Sequence, residues 1–380
     1  MNLKSFKDQA GSHWHNIHGW RNKRRIVVFE SDDWGSIRTP SKRVYEQLAK
    51  KGLMVHECPF TKYDSLASVD DLTELFDTLL KYKGSDGKHP VFTANTVVAN
   101  PDFQKIRDTK FSQYYYEHFT ETLNRYPNHS GSFKLWNEGC QRGIFHPQLH
   151  GREHLNVSLW MKNLREGSKE TKFAFDHEMF GISTIISNEN RRSYMSSLDY
   201  EDISELNEQV AILLDAQNLF TQIFSYTSES FIASNYTWGV DHEKVLSSSG
   251  VKYIQSSRSQ VLPLGEPGRR RHKIHYIGEK NKLHQYYLVR NCYFEPSIDH
   301  NKDTVSECLK QIETAFLWRK PAIIGSHRFN YIGFLDEKNR ERTLKKLDEL
   351  LKKIITKWPD VEFLTSDALG KLISKVFFHD

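Results

Sequence analysis

Two adjacent carboxylates, Asp32 and Asp33, follow the apolar run Ile26-Val27-Val28-Phe29 with only Glu30 and Ser31 between them. The run reads as a buried strand, so both acids fall where that strand ends. In α/β proteins this is the end at which chemistry collects. Far downstream, His150 and His154 stand four residues apart, a spacing that one helical turn would set side by side. One Asp with two His makes a three-ligand metal set with a position open to water. The second Asp is then free to act as a base. Singly, each feature has an ordinary reading. Adjacent acids cap turns and helices. His146 belongs to the same i, i+4, i+8 run as His150 and His154. His327, after Ile323-Ile324-Gly325-Ser326, suits a hydrogen-bonded structural histidine.

The elements that must position these residues are legible as alternating strand and helix patterns. Strand-like runs are Ile26–Phe29, Val91–Thr93, Ile144–Phe145, Phe231–Ala233, Tyr253–Gln255, Tyr286–Val289, Ala322–Ile324 and Glu362–Leu364. Ser68 with Asp71 forms a capping box, followed by Leu72, Leu75, Phe76, Leu79 and Leu80 at helical spacing and closed by Gly84. A second helix starts near Pro40, with Val44 and Leu48 inward, and a third over 338–356 carries Leu344, Leu347, Leu351 and Ile354 on one face. Seven or eight strands interleaved with helices predict a parallel barrel or a doubly wound sheet. The polar stretch 155–228, with one helical pattern at Ile203, Leu206, Val210 and Leu213, reads as an insertion decorating a single domain over 1–380.

Each chemistry-bearing segment follows a strand-like run, so all can meet at one rim. Together they resemble the polysaccharide deacetylase superfamily of metal-dependent carbohydrate esterases. The family's opening Thr-Phe-Asp-Asp-Gly compares with Phe29-Glu30-Ser31-Asp32-Asp33-Trp34-Gly35, and its His-Ser/Thr-x-x-His with His150-Gly151-Arg152-Glu153-His154. Its Phe-Arg-Pro-Pro-Tyr-Gly compares with Phe231-Ile232-Ala233-Ser234-Asn235-Tyr236, and its terminal His with His327. The likeness spans roughly residues 26–372, carried by the order and spacing of the motifs. Trp34 separates the acids from Gly35, Gly151 replaces the usual hydroxyl residue, and Ile232 stands where the family's Arg orients the catalytic Asp.

The resemblance implies an irregular (β/α)7 barrel with Asp33, His150 and His154 as metal ligands, Asp32 as general base and His327 as general acid. It implies Zn²⁺, although mixed O/N ligation accepts other divalent ions. Backbone N–H groups near Asn235 or Tyr236 are expected to face the oxyanion. Trp34, Tyr236, Trp238, Phe329 and Tyr331 are the rings available to sugar faces, with Asn235 beside them. The missing arginine calls for a substitute among Arg38, Arg290 and Arg328. Two rivals stand beside a carbohydrate deacylase: an inactive carbohydrate-binding protein, favoured by Ile232, and a hydrolase acting on a non-sugar amide.

Composition bounds the partners. Lys and Arg exceed Asp and Glu by 53 to 48, too small an excess for nucleic acid or a membrane surface. The scattered Cys58, Cys140, Cys292 and Cys308 form no C-x-x-C pair, so neither a thiolate site nor a disulfide framework is expected. No apolar leader or spanning stretch is present, and the protein reads as cytoplasmic. The basic run Arg269-Arg270-Arg271-His272-Lys273 reads first as a solvated loop, and second as a contact for an anionic polymer or a lipid-linked substrate.

Overall fold

The computed structural model describes residue 11 and residues 13–376. The polar stretch ahead of Gly11, and Ser12, therefore lie outside the described residues. The framework is a nine-stranded sheet. Its seven principal strands are β1 (Ile26–Trp34), β2 (Phe92–Val97), β3 (Phe145–Gly151), β4 (Ser230–Ile232), β5 (Tyr253–Ser256), β6 (Tyr286–Val289) and β7 (Ala322–His327). Their order is β6-β5-β4-β3-β2-β1-β7, every pair parallel. Two-residue strands, Cys292–Tyr293 and Glu362–Phe363, pair with β7 and β1. The sheet is curled and ringed by helices, a barrel of the (β/α)7 type. Each of the eight strand-like runs read from the sequence overlaps one of these strands, with Val91, Ile144, Ala233 and Leu364 falling just outside.

Parallel strands need crossovers, and in a barrel these cover the outer face of the sheet while strand side chains fill the inner one. The strand residues show this by alternation. Val27 and Phe29 join one buried cluster, while Ile26 and Val28 join another. The helix predicted from Ser68 runs over Val69–Leu80, and the Ser68–Asp71 capping box is reciprocal at 3.0 and 3.2 Å. The helix near Pro40 is capped one residue later, by Ser41, and spans Lys42–Lys50. The helix read at 338–356 spans Glu337–Lys357, with Leu344, Leu347, Leu351 and Ile354 buried.

The stretch 155–228 forms the crossover from β3 to β4. Its long helix, Ile203–Phe224, buries Leu213, Ala216, Leu219 and Phe220 in the second cluster. The basic run is the outer strand, Arg270–Ile274, of a two-stranded hairpin with Ser259–Pro263, and not a loop. All four cysteines are unpaired. Among the described residues no helix is long and apolar enough to cross a membrane.

The seam of the barrel fixes one residue in particular. Directly after β6 the chain passes from one edge of the sheet to the other. The Arg290 N–H donates to Ser256 on β5 at 2.8 Å, and the Asn291 N–H donates to Ile323 on β7 at 3.2 Å. Arg290 is thereby held where the curled sheet meets itself.

Candidate active site

On a regular strand Asp32 and Asp33 would point to opposite faces. They do not, because the β1–β2 register shifts between Ser31 and Trp34 and Asp33 takes a left-handed φ of 74°. This local irregularity, of the kind that re-aims side chains beside sites, sends both carboxylates into one cavity.

His150 lies on β3, and His154 follows in the connecting segment. The helical turn expected from their spacing is absent. Gly151 at φ 120° ends the strand and bends the chain, so that His154 returns beside His150 with ring centroids 4.9 Å apart. Asp33 Oδ1 lies 3.4 Å from His150 Nε2 and 3.2 Å from His154 Nε2. The three ligand-type atoms fall within 4.8 Å of one another. His150 donates from Nδ1 to the Ile232 carbonyl at 2.9 Å, which leaves its Nε2 lone pair facing inward.

Asp33 Oδ1 and His150 Nε2 are buried without a hydrogen-bond partner among the described residues. Buried polar atoms are normally satisfied, so this convergence fits a cation with one oxygen and two nitrogen ligands. Burial draws the His154 imidazole down to about 4 against the pull of Asp33. Burial opposes ionisation of Asp33, but His154 and Arg38 outweigh it and hold the carboxyl well below its ordinary range. Both therefore carry ligand lone pairs at neutral pH.

Asp32 is held differently. Arg290 grips it with a two-pronged contact, Nη1 to Oδ2 and Nη2 to Oδ1, each 2.7 Å, and Asn95 donates to Oδ1 at 2.7 Å. Burial opposes ionisation of Asp32, and the Arg290 guanidinium overcomes it, so the carboxyl titrates below its usual value. The same guanidinium donates from Nε to the buried Glu30 at 2.7 Å. Of the three arginines considered as substitutes for the one absent at Ile232, Arg290 meets Asp32. Arg38 pairs with the other oxygen of Asp33 at 3.0 Å, and Arg328 pairs with Asp64.

Arg290 fits because Gly325 on β7 has no side chain, since a Cβ there would stand 2.7 Å from Arg290 Cδ. Gly325→Ala is therefore expected to shift Arg290 and lower turnover by about 10–10²-fold, the cost of a small misplacement. Metal content, measured alongside, should remain at the wild-type level.

His327, at the end of β7, brings Nε2 to 3.8 Å from Asp32 Oδ2. Its Nδ1–H donates to Glu295 at 2.6 Å. Burial would lower the imidazole, but Glu295 and Asp32 outweigh that and raise it to about 9. It is thus protonated at neutral pH and has a proton to give. Nothing local in the sequence marks Glu295 as the partner of His327, or Asn95 as a partner of Asp32.

Four aromatic expectations fail. Trp34 and Trp238 are 1% and 0% exposed and lie in the core. Trp34 packs on Trp136 and Phe145 and donates to Ser31 at 2.9 Å, while Trp238 donates to the buried Glu243 at 3.0 Å. Phe329 and Tyr331 are likewise fully buried. Their large apolar area goes to the core instead of the cavity. Asn235 and Tyr236 do line the cavity, both at left-handed φ, and the Tyr236 hydroxyl is 3.1 Å from Arg290. The Tyr236 N–H is unsuited to an oxyanion because it donates to Ala233 at 3.1 Å. His146 sits apart, paired with Asp367 at 3.2 Å.

No protein-family model and no curated protein matches the chain. Solved structures do match. A 4-alpha-glucanotransferase from Thermococcus litoralis is 10% identical at TM-score 0.43, covering 92% of this chain and 40% of its own. The chain thus spans less than half the length of that enzyme. Puue allantoinase is 12% identical at TM-score 0.42, covering 94% and 92%. Peptidoglycan deacetylase PdaC from Bacillus subtilis, as a point variant, is 11% identical at TM-score 0.33, covering 94% of each. Polysaccharide deacetylases are also among the matches. At such identities, and with every one of these TM-scores below 0.5, the matches assign neither substrate nor activity to this chain.

Proposed function

We propose that the chain is a metal-dependent hydrolase that removes acyl groups, acetyl among them, from a sugar or glycan. The observation that carries this is the meeting, in one cavity, of an Asp33–His150–His154 ligand set with Asp32 gripped by Arg290 and His327 paired with Glu295. Asp33, His150 and His154 would hold a divalent ion, which we take to be Zn²⁺. When bound, that ion supplies Lewis acidity to the acyl carbonyl and to water.

The chain's own groups do the proton work. Water adds to the acyl carbon as Asp32 takes its proton, and the acyl C–N or C–O bond breaks as His327 gives its proton to the departing atom. Arg290 orients Asp32, and Glu295 orients His327. The arginine contact supports activity over an inactive binding fold. A hydrolase acting on a non-sugar amide is the second reading, favoured by the apolar side chains that share the cavity. We read the chain as one barrel domain with an insertion around 155–228, and as cytoplasmic, in keeping with four unpaired cysteines.

Metal analysis with thermal unfolding tests this reading. Purified protein should bind a divalent ion, and at 100 times its Kd the ion should stabilise the fold by about 2.7 kcal/mol. Asp33→Ala or His150→Ala should abolish both, whereas His146→Ala should keep most of the ion. If His146→Ala empties the site and His154→Ala does not, the ligand assignment is wrong. Release of acetate from acetylated sugars by the loaded protein tests the reaction itself.

A further inference from the structure

The walls of the cavity point to a substrate class narrower than acylated glycans. The space measures about 500 Å³, within the range of small-molecule sites. Beside the metal-type residues it is lined by the apolar Phe60, Met179, Phe180, Met195 and Ile232, while Asn235, Tyr236 and the hydroxyl residues Thr39, Thr61, Ser183, Thr184 and Ser193 supply the polar part of its lining. Two excursions from the barrel supply most of that wall, one around 42–63 and the other around 173–195.

These excursions are packed to each other. Leu48, Leu53, Val55 and Cys58 from the first form a separate buried cluster with Ala174, Met179, Ile182 and Ile186 from the second. The Arg38 guanidinium lies 5.6 Å from the Phe60 ring and 5.9 Å from the Phe180 ring, and it also contacts the Met195 sulfur, so it ties both excursions to Asp33. The second excursion is anchored from behind. The Tyr194 hydroxyl is 2.6 Å from both Asn163 and Thr171, and Arg191 donates to the Ile182 carbonyl at 2.6 Å. A wall with its own core and its own hydrogen bonds is a fixed boundary on that side of the site.

We propose that this pocket takes one small or chain-terminal acylated unit, with the apolar part of the acyl group against Phe60, Met179, Phe180 and Met195, and does not admit the interior of a glycan. This rests on the hydrolase reading and deepens it. An internal sugar needs a cleft open on both sides of the scissile group, and the packed excursions occupy one of them. An apolar wall beside the reacting carbonyl gains free energy with each methylene it removes from water, about 0.8 kcal/mol.

The test is a series of N-acetyl-, N-propionyl- and N-butyryl-D-glucosamine set against glycol chitin as the polymer. Both kcat/KM and calorimetric affinity are measured on the metal-loaded full chain. Each added methylene should raise both by about 4-fold, glycol chitin should be at least 10-fold poorer than the monomers, and Phe180→Ala should flatten the series. Phe180→Leu, a milder change, should flatten it partly and guards against a folding defect. A flat series in the wild type, or glycol chitin turned over or bound as well as the monomers, overturns the proposal. If nothing is turned over, the sugar-deacylase reading falls. The binding series then decides the pocket reading by itself: a rise with acyl length upholds it, and equal affinities refute it.

Discussion

Asp32→Asn is expected to cut turnover by about 10²–10⁴, the usual worth of a positioned general base, while the metal stays bound. The amide keeps the shape of the carboxylate, and its oxygen can still accept from Asn95 and from one Arg290 nitrogen, but its NH2 cannot accept from the other, and the group cannot take a proton from water. Because Asp32 is oriented by Arg290 and not aimed at His150 or His154, its loss should leave the ligand set untouched. His327→Ala should cost a similar factor by removing the proton donor, also without loss of metal. The two changes together should cost much less than the product of the separate losses, because both residues serve one reaction. Steady-state rates and metal content on the three variants check this. Normal turnover in Asp32→Asn would mean that another base does the work, and loss of metal in His327→Ala would make that histidine a ligand.

The second large effect concerns the seam. Arg290→Met should destabilise the fold by about 3–5 kcal/mol, the cost of leaving buried charge without its partner. Arg290 is 1% exposed and serves two buried carboxylates, Asp32 and Glu30. Glu30 has Ser366 as a further donor at 2.8 Å, which is too little to neutralise it. Arg290→Lys keeps the charge but loses the planar fork that spans both oxygens of Asp32. It should recover much of the stability and little of the rate. Denaturant unfolding with parallel kinetics separates these outcomes. Full activity in Arg290→Lys would show that charge alone, without orientation, suffices at Asp32.

Much of the fold and the metal-type set is readable in the chain. Strand cores announce themselves as short apolar runs because a sheet covered on both faces needs no polar alternation, and every such run overlaps a strand. The Ser68–Asp71 box marks its helix because the two residues satisfy each other within one turn. Asp33, His150 and His154 are legible as ligand types placed downstream of strand-like apolar runs, although the means of bringing the histidines together is not. Spacing by four suggests a helix, whereas the backbone uses a strand and a glycine turn. That choice depends on the pairing of β3 with its neighbours together with the left-handed turn at Gly151, and not on the spacing of the histidines.

What only the tertiary structure decided was which groups serve the site from afar and which rings face it. Arg290 stands 258 positions from Asp32 and meets it because a parallel sheet curls until its seam closes on β7, the neighbour of β1. No local pattern carries that distance. Trp34 and Trp238 look like ligand-facing rings by position, yet both point into the core. A residue's sequence sets its polarity and its element, but the face it turns to the cavity depends on the register shift at Asp33 and on the packing of neighbours remote in the chain.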